Sequence, residues 1–94
     1  MQPDRTIDYF LQRAMRRLEL GEVADEMRVE RVYRQLAGDL ISRLTTSVLF
    51  SKGTLTLRLR SAALRHEMFN RRDSLRHRIN DQLGAEVVQK IVIH

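Results

Sequence analysis

Residues 45–61 read "TTSVLFSKGTLTLRLRS", and the period of this stretch decides the fold. Its first seven residues are β-branched, aromatic or small, the composition that a pleated strand favours. Ser51, Lys52 and Gly53 are turn material. From Thr54 to Arg60 the chain alternates strictly, with Leu55, Leu57 and Leu59 on one side and Thr54, Thr56, Arg58 and Arg60 on the other. The pattern predicts a β-hairpin with one dry face, and that face has to be covered by other parts of the chain.

Upstream the period is helical. Ile7, Phe10, Leu11, Ala14, Met15 and Leu18 recur at steps of three and four, so residues 6–19 read as an amphipathic helix with Thr6 at its cap and Asp8 in its first turn. Gly21 is expected to end or kink it. A second helix is expected from about Glu22 to Leu44, where Met27, Val29, Tyr33, Leu36, Leu40, Ile41 and Leu44 keep one face apolar. Gly38 is a weak point inside it, costing about 1 kcal/mol relative to alanine, and marks either close packing or a bend.

Downstream, Ser61 is placed to cap a long helix whose stripe of Leu64, Met68, Leu75, Ile79 and Leu83 runs to Gly84, a left-handed C-terminal cap. The stretch "VVQKIVI", residues 87–93, closes the pattern as a strand apolar on both faces apart from Gln89 and Lys90. The predicted order is helix, helix, strand, strand, helix, strand, an α+β two-layer domain. The crossover after residue 60 is long enough for the third strand to lie parallel to the second. One face of the sheet is then left open, with Arg58 and Arg60 beside Thr54, Thr56 and either Lys90 or Gln89.

The 94 residues suffice for a single domain, residues 1–94, divided into an N-terminal helix over 1–20 and a core over 22–94. Without cysteine, neither disulfides nor thiolate metal sites hold it together. Asp4, Arg5 and Asp8 stand where a signal peptide needs apolar residues, and apolar runs are only a few residues long, so a cytoplasmic protein with no membrane partner is expected.

The net charge of +5 is unevenly distributed. Residues 1–51 hold eight cations and eight acids, whereas residues 52–94 hold nine and four. Fifteen of the seventeen cations are arginine, whose planar guanidinium grips phosphate in a two-pronged way that lysine does not match. On a continuous helix Arg65, Arg72 and Arg76 share one face, and Arg71 and Arg78 line a second edge. With Lys52, Arg58 and Arg60 they would border a groove for nucleic acid. Two other readings stay open: a solvated skin partly neutralised by Asp73 and Asp81, or a protein-interaction module that pairs or forms a homodimer through the Val88 and Val92 side of the last strand.

Few aromatic residues are available for base stacking. Among them Phe69, flanked by His66, Asn70 and Arg72, is the one placed to reach an edge, although core packing is its more natural role. His66, Asp73 and His77 share a helix face, but the histidines would stand roughly 16 Å apart, too far to hold one metal ion. With no nucleophile elbow, no glycine-rich phosphate loop and no facing carboxylates, neither an enzyme nor a cofactor is expected.

The succession "VYRQLAGDLISRLT", "KGTLTLRLRS", "LRHEM" and "INDQLGAEVVQKIVI" resembles the DciA-like family. The positions that carry the resemblance are Tyr33, Gly38, Thr45, Gly53, Leu55, Leu57, Leu59 and Ser61, then Leu64, Glu67, Met68, Asn80, Leu83, Gly84 and Ile91, over roughly residues 29–93. Tyr33 stands where the family usually has tryptophan. The resemblance implies a KH-like domain that acts on the bacterial replicative helicase of the DnaB type, assisting its loading on DNA, with affinity for nucleic acid. The G-x-x-G loop of KH domains is absent, since Gly21, Gly38, Gly53 and Gly84 stand alone, so a basic platform would have to replace it.

Overall fold

The hairpin forms where the alternation places it. In the computed structural model, which describes residues 3–94 and the side chains of residues 9–11, 13, 14 and 24–94, β1 spans Thr45–Ser51 and β2 spans Thr54–Leu59. The two strands pair antiparallel, with Phe50 opposite Leu55 and Val48 opposite Leu57. Ser51 faces Thr54, so the loop is Lys52 and Gly53 alone, both at positive φ (50° and 80°). That is the type I′ geometry, whose twist matches that of the strands it joins. β3, Lys90–Ile93, adds parallel on the other side of β2, as the crossover length requires, with Leu55 opposite Ile91 and Leu57 opposite Ile93.

Helical elements cover the dry face. α1 spans Pro3–Leu44, α2 Ala62–Asn70 and α3 Arg72–Leu83. Val29 and Tyr33 of α1, Met68 of α2 and Ile79 of α3 close over Leu55, Leu57, Leu59 and Ile91, and all are buried. The Arg28 guanidinium, reaching the Leu83 carbonyl at 3.4 Å, ties α1 to the C-terminal end of α3, where the exposed carbonyls favour a cation. The result is the expected α+β two-layer arrangement, compatible with a KH-like fold. No helix of the described residues is long and apolar enough to cross a membrane.

Several boundaries differ from the sequence reading. Helix α1 runs through Gly21, because one interior glycine costs only about 1 kcal/mol and the flanking turns outweigh it. It starts at Pro3, so Thr6 is inside it; the side chains of Thr6, Ile7, Asp8, Met15 and Leu18 lie outside the described residues. The break comes at Gly38 instead (φ 82°, ψ 175°). A Cβ built there would meet nothing within 4 Å, so the glycine serves the bend and not close packing. Arg34 and Ser42 bridge the bend, the guanidinium donating to the Ser42 carbonyl at 3.2 Å and the hydroxyl to the Arg34 carbonyl at 3.4 Å.

The long helix after Ser61 is divided as well. Ser61 caps α2 as expected, its hydroxyl accepting from the Leu64 amide at 3.2 Å, and Gly84 (φ 75°) ends α3. Between them Arg71 leaves the helical region (φ −108°, ψ 11°). The apolar stripe steps from Met68 to Leu75 across Arg72, so no apolar side chain pulls that turn onto the core. β3 is shorter than predicted because Val88 is held off the ladder. The Asn80 amide donates to the Val88 carbonyl and its oxygen accepts from the Val88 amide, both at 2.8 Å. Val88 is fully buried, so it contributes nothing to an open edge or seam, and only Val92 remains on that side, half-buried.

Along α1 the apolar face outlasts the core. The long dimension of the molecule is 64 Å, most of it supplied by the part of α1 before the Gly38 bend, which rises about 50 Å. Tyr9, Phe10 and Leu11 are each more than half exposed.

Candidate nucleic-acid interface

Residues paired across neighbouring strands point to the same side of a sheet, so the register defines the open face. One row is Ser51, Thr54 and Lys90, and a second is Leu49, Thr56 and Val92. Ser47 pairs with Arg58, and the His94 amide donates to the Leu57 carbonyl at 2.8 Å while the Leu59 amide donates to His94 at 2.9 Å. These two bonds flank Arg58 and place His94 directly beside it. Of the two candidates for a place beside Thr54, Lys90 is the one on this face. Gln89 instead lies against the turn, where its amide donates to the Gly53 carbonyl at 2.8 Å.

The predicted site residues fall into three places. Arg58 and Arg60 are exposed at the end of β2, and among the described residues neither makes an ion pair or a side-chain hydrogen bond. Arg65 reaches back from α2 to donate to the Leu59 carbonyl at 2.9 Å, which brings its guanidinium to the same strand end. Lys52 is at the other end of the hairpin, about 20 Å along the strand from Arg58 at 3.3 Å per residue. Asp25 and Glu26 line the cleft of about 560 Å³ that Lys52 borders, so that end carries a weaker positive potential.

Arg71, Arg72 and Arg76 occupy the α2–α3 corner. The helix break at Arg71 interrupts the phase that would set Arg65 on one face with Arg72 and Arg76. Arg71 pairs with Glu67 at 2.9 Å and Arg76 with Glu86 at 3.5 Å. The carboxylates in ion-pair contact with these cations are Glu67 and Glu86; among the described residues Asp73 and Asp81 make no such pair. Phe69 is not in the core: it is half exposed, and the Arg72 guanidinium lies 3.8 Å from its ring centroid. The two residues lie three apart in the chain on either side of the break at Arg71.

The positions that carry the family pattern have structural duties. Gly38, Gly53 and Gly84 hold positive φ, Ser61 caps α2, and Asn80 staples Val88. Tyr33 is buried against Thr45. The arginines of the open face and the corner lie outside that pattern, and they carry the surface charge.

A family model described as Dna(CI) antecedent, DciA matches residues 6–93. The chain belongs to the DciA family. DciA membership implies a helicase-loader type of role in DNA replication, in a family of adaptors that associate with the replicative helicase. No curated protein matches the chain.

Proposed function

We propose that this DciA-family domain is a helicase-loading adaptor that holds single-stranded or tailed DNA through its arginine surface while another surface meets the replicative helicase. The observation that carries the reading is the cluster at the end of β2. Arg58 and Arg60 are exposed without partners among the described residues, Arg65 is fixed beside them, and His94 adds an imidazole beside Arg58. Arg72 extends the cationic surface around the corner, and Lys52, Arg71 and Arg76 contribute more weakly because carboxylates stand near them. Exposed guanidiniums confer affinity for phosphate without reading sequence.

The test is binding of the purified chain to fluorescent single-stranded and duplex DNA as salt is raised. Four phosphate contacts predict roughly fifty-fold weaker binding between about 50 and 200 mM salt. A flat response, or no binding at low salt, refutes the reading. The second reading, a protein-interaction module that self-associates through its sheet, is favoured by Leu49, which is 57% exposed on the open face of the edge strand β1. Under that reading the chain forms a homodimer that high salt does not dissolve, and substitution of Leu49 releases it.

A further inference from the structure

Phe69 is the one aromatic residue of α2 and α3, and it is 51% exposed. Its neighbours three and four positions away along the chain are Arg65, His66, Arg72 and Asp73, all polar or charged. A protein interface has a centre of several apolar side chains, whereas the residues one turn from Phe69 on either side are cationic, acidic or polar.

What surrounds the ring is of another kind. The Arg72 guanidinium is stacked 3.8 Å from the ring centroid and anchored by a hydrogen bond from Nη1 to the Phe69 carbonyl at 3.2 Å. Asn70 Nδ2 lies 3.4 Å from His66 Nε2, so an amide and an imidazole stand together in the same turn. A flat apolar ring backed by a fixed cation, with groups nearby that hydrogen-bond in either sense, matches the chemistry of an unpaired base. The base stacks on the π face, its edge meets the polar groups, and the neighbouring phosphate meets the guanidinium.

We infer that Phe69, with Arg72 behind it, is a stacking platform for an unpaired nucleobase of the strand whose phosphates meet the Arg58 cluster. This rests on the proposed function and sharpens it. Arg65, whose guanidinium reaches back to the Leu59 carbonyl beside Arg58, and Phe69 are four residues apart on α2 and share a face about 6 Å apart along its axis, so a strand held by that guanidinium has the ring within a nucleotide or two. A duplex keeps its bases stacked on one another and cannot fill the platform, which gives the surface its preference for single strands.

The experiment titrates the full chain with fluorescent oligo(dT), with the matching duplex, and with a single strand carrying 2-aminopurine. Phe69→Ala is expected to weaken single-strand binding about tenfold to a hundredfold, with little change on duplex. It should also abolish the 2-aminopurine quenching seen with the parent chain, and Phe69→Trp should restore affinity. Single-strand binding by Phe69→Ala within about twofold of the parent overturns the platform and leaves the Arg58 reading standing, as does a loss confined to helicase binding. Failure of the parent chain to bind any nucleic acid overturns both. Should Phe69→Ala not fold, Phe69→Trp reads the contact alone: indole fluorescence quenched by oligo(dT) supports the stack, and unquenched fluorescence in the bound state overturns it.

Discussion

The Tyr33 hydroxyl lies 2.9 Å from Thr45 Oγ1, and Thr45 Oγ1 donates to the Ile41 carbonyl at 2.7 Å. Thr45 has a single hydroxyl proton, and it is directed to Ile41. Tyr33 is therefore the donor in the pair, and the chain of bonds ties α1 on one side of the Gly38 bend to the start of β1 on the other. Thr45→Val leaves the buried phenol without an acceptor and is expected to cost about 1–3 kcal/mol, whereas Tyr33→Phe removes one bond and costs about 1 kcal/mol. Urea unfolding of the two variants and of the double variant checks this, with the double expected to lose less than the sum.

The same phenol sets an alkaline limit to stability. Burial pushes the Tyr33 pKa above its ordinary value of 10.0, and this outweighs the downward pull of the Thr45 hydrogen bond and of the Arg34 charge. Since the unfolded phenol ionises first, the contribution of Tyr33 is complete below pH 10.0 and is lost as pH rises through the folded value. Tyr33→Phe should flatten the fall in stability above that pH, measured by denaturant unfolding along an alkaline series. An unchanged alkaline limb would assign it to other groups.

Asn80 is expected to be the most sensitive polar position outside the Tyr33 network. It is buried, and it satisfies both the amide and the carbonyl of Val88. Asn80→Ala strands two backbone groups and should cost about 2–4 kcal/mol. Hydrogen exchange at the Val88 amide should quicken more than at the Leu57 amide if the loss is local to the approach to β3.

The three arginines at the end of β2 should separate by role. Arg58→Glu with Arg60→Glu changes only exposed side chains, so the melting temperature should stay within a few degrees while affinity for single-stranded DNA collapses. Arg65→Ala removes a bond to the Leu59 carbonyl and should lower stability by about 1 kcal/mol in addition to weakening binding. Unfolding of the Arg58 and Arg60 variant would make those side chains structural.

What could be read from the sequence follows the range of the forces involved. Period-two alternation in residues 54–59 gave the hairpin and its dry face, and the crossover length gave the parallel third strand, because both depend on local spacing. The bend at Gly38 was one of two alternatives that its glycine raised, whereas the break at Arg71 depends on how that turn meets the core, and a helical stripe with one arginine in it looks continuous until the packing is known. Likewise the arginines were legible as a group, but their partners were not. Glu67 reaches Arg71 within one turn, Glu86 reaches Arg76 from beyond α3, and Asn80 finds Val88 only once the chain has closed.

The parallel pairing of β2 with β3 has a consequence during synthesis. The β1–β2 hairpin closes over two turn residues and can form as soon as it leaves the ribosome, on the timescale of microseconds. The free edge of β2, however, waits for a partner that is translated later, since Thr54 pairs with Lys90 and Leu57 with Ile93. Until residue 93 emerges, a nascent chain displays an unpaired strand bearing Leu55, Leu57 and Leu59, a template for pairing with a neighbouring chain. Arg58 within that strand and Arg60 just beyond it are of the charged kind that disfavours pairing between chains at such an edge.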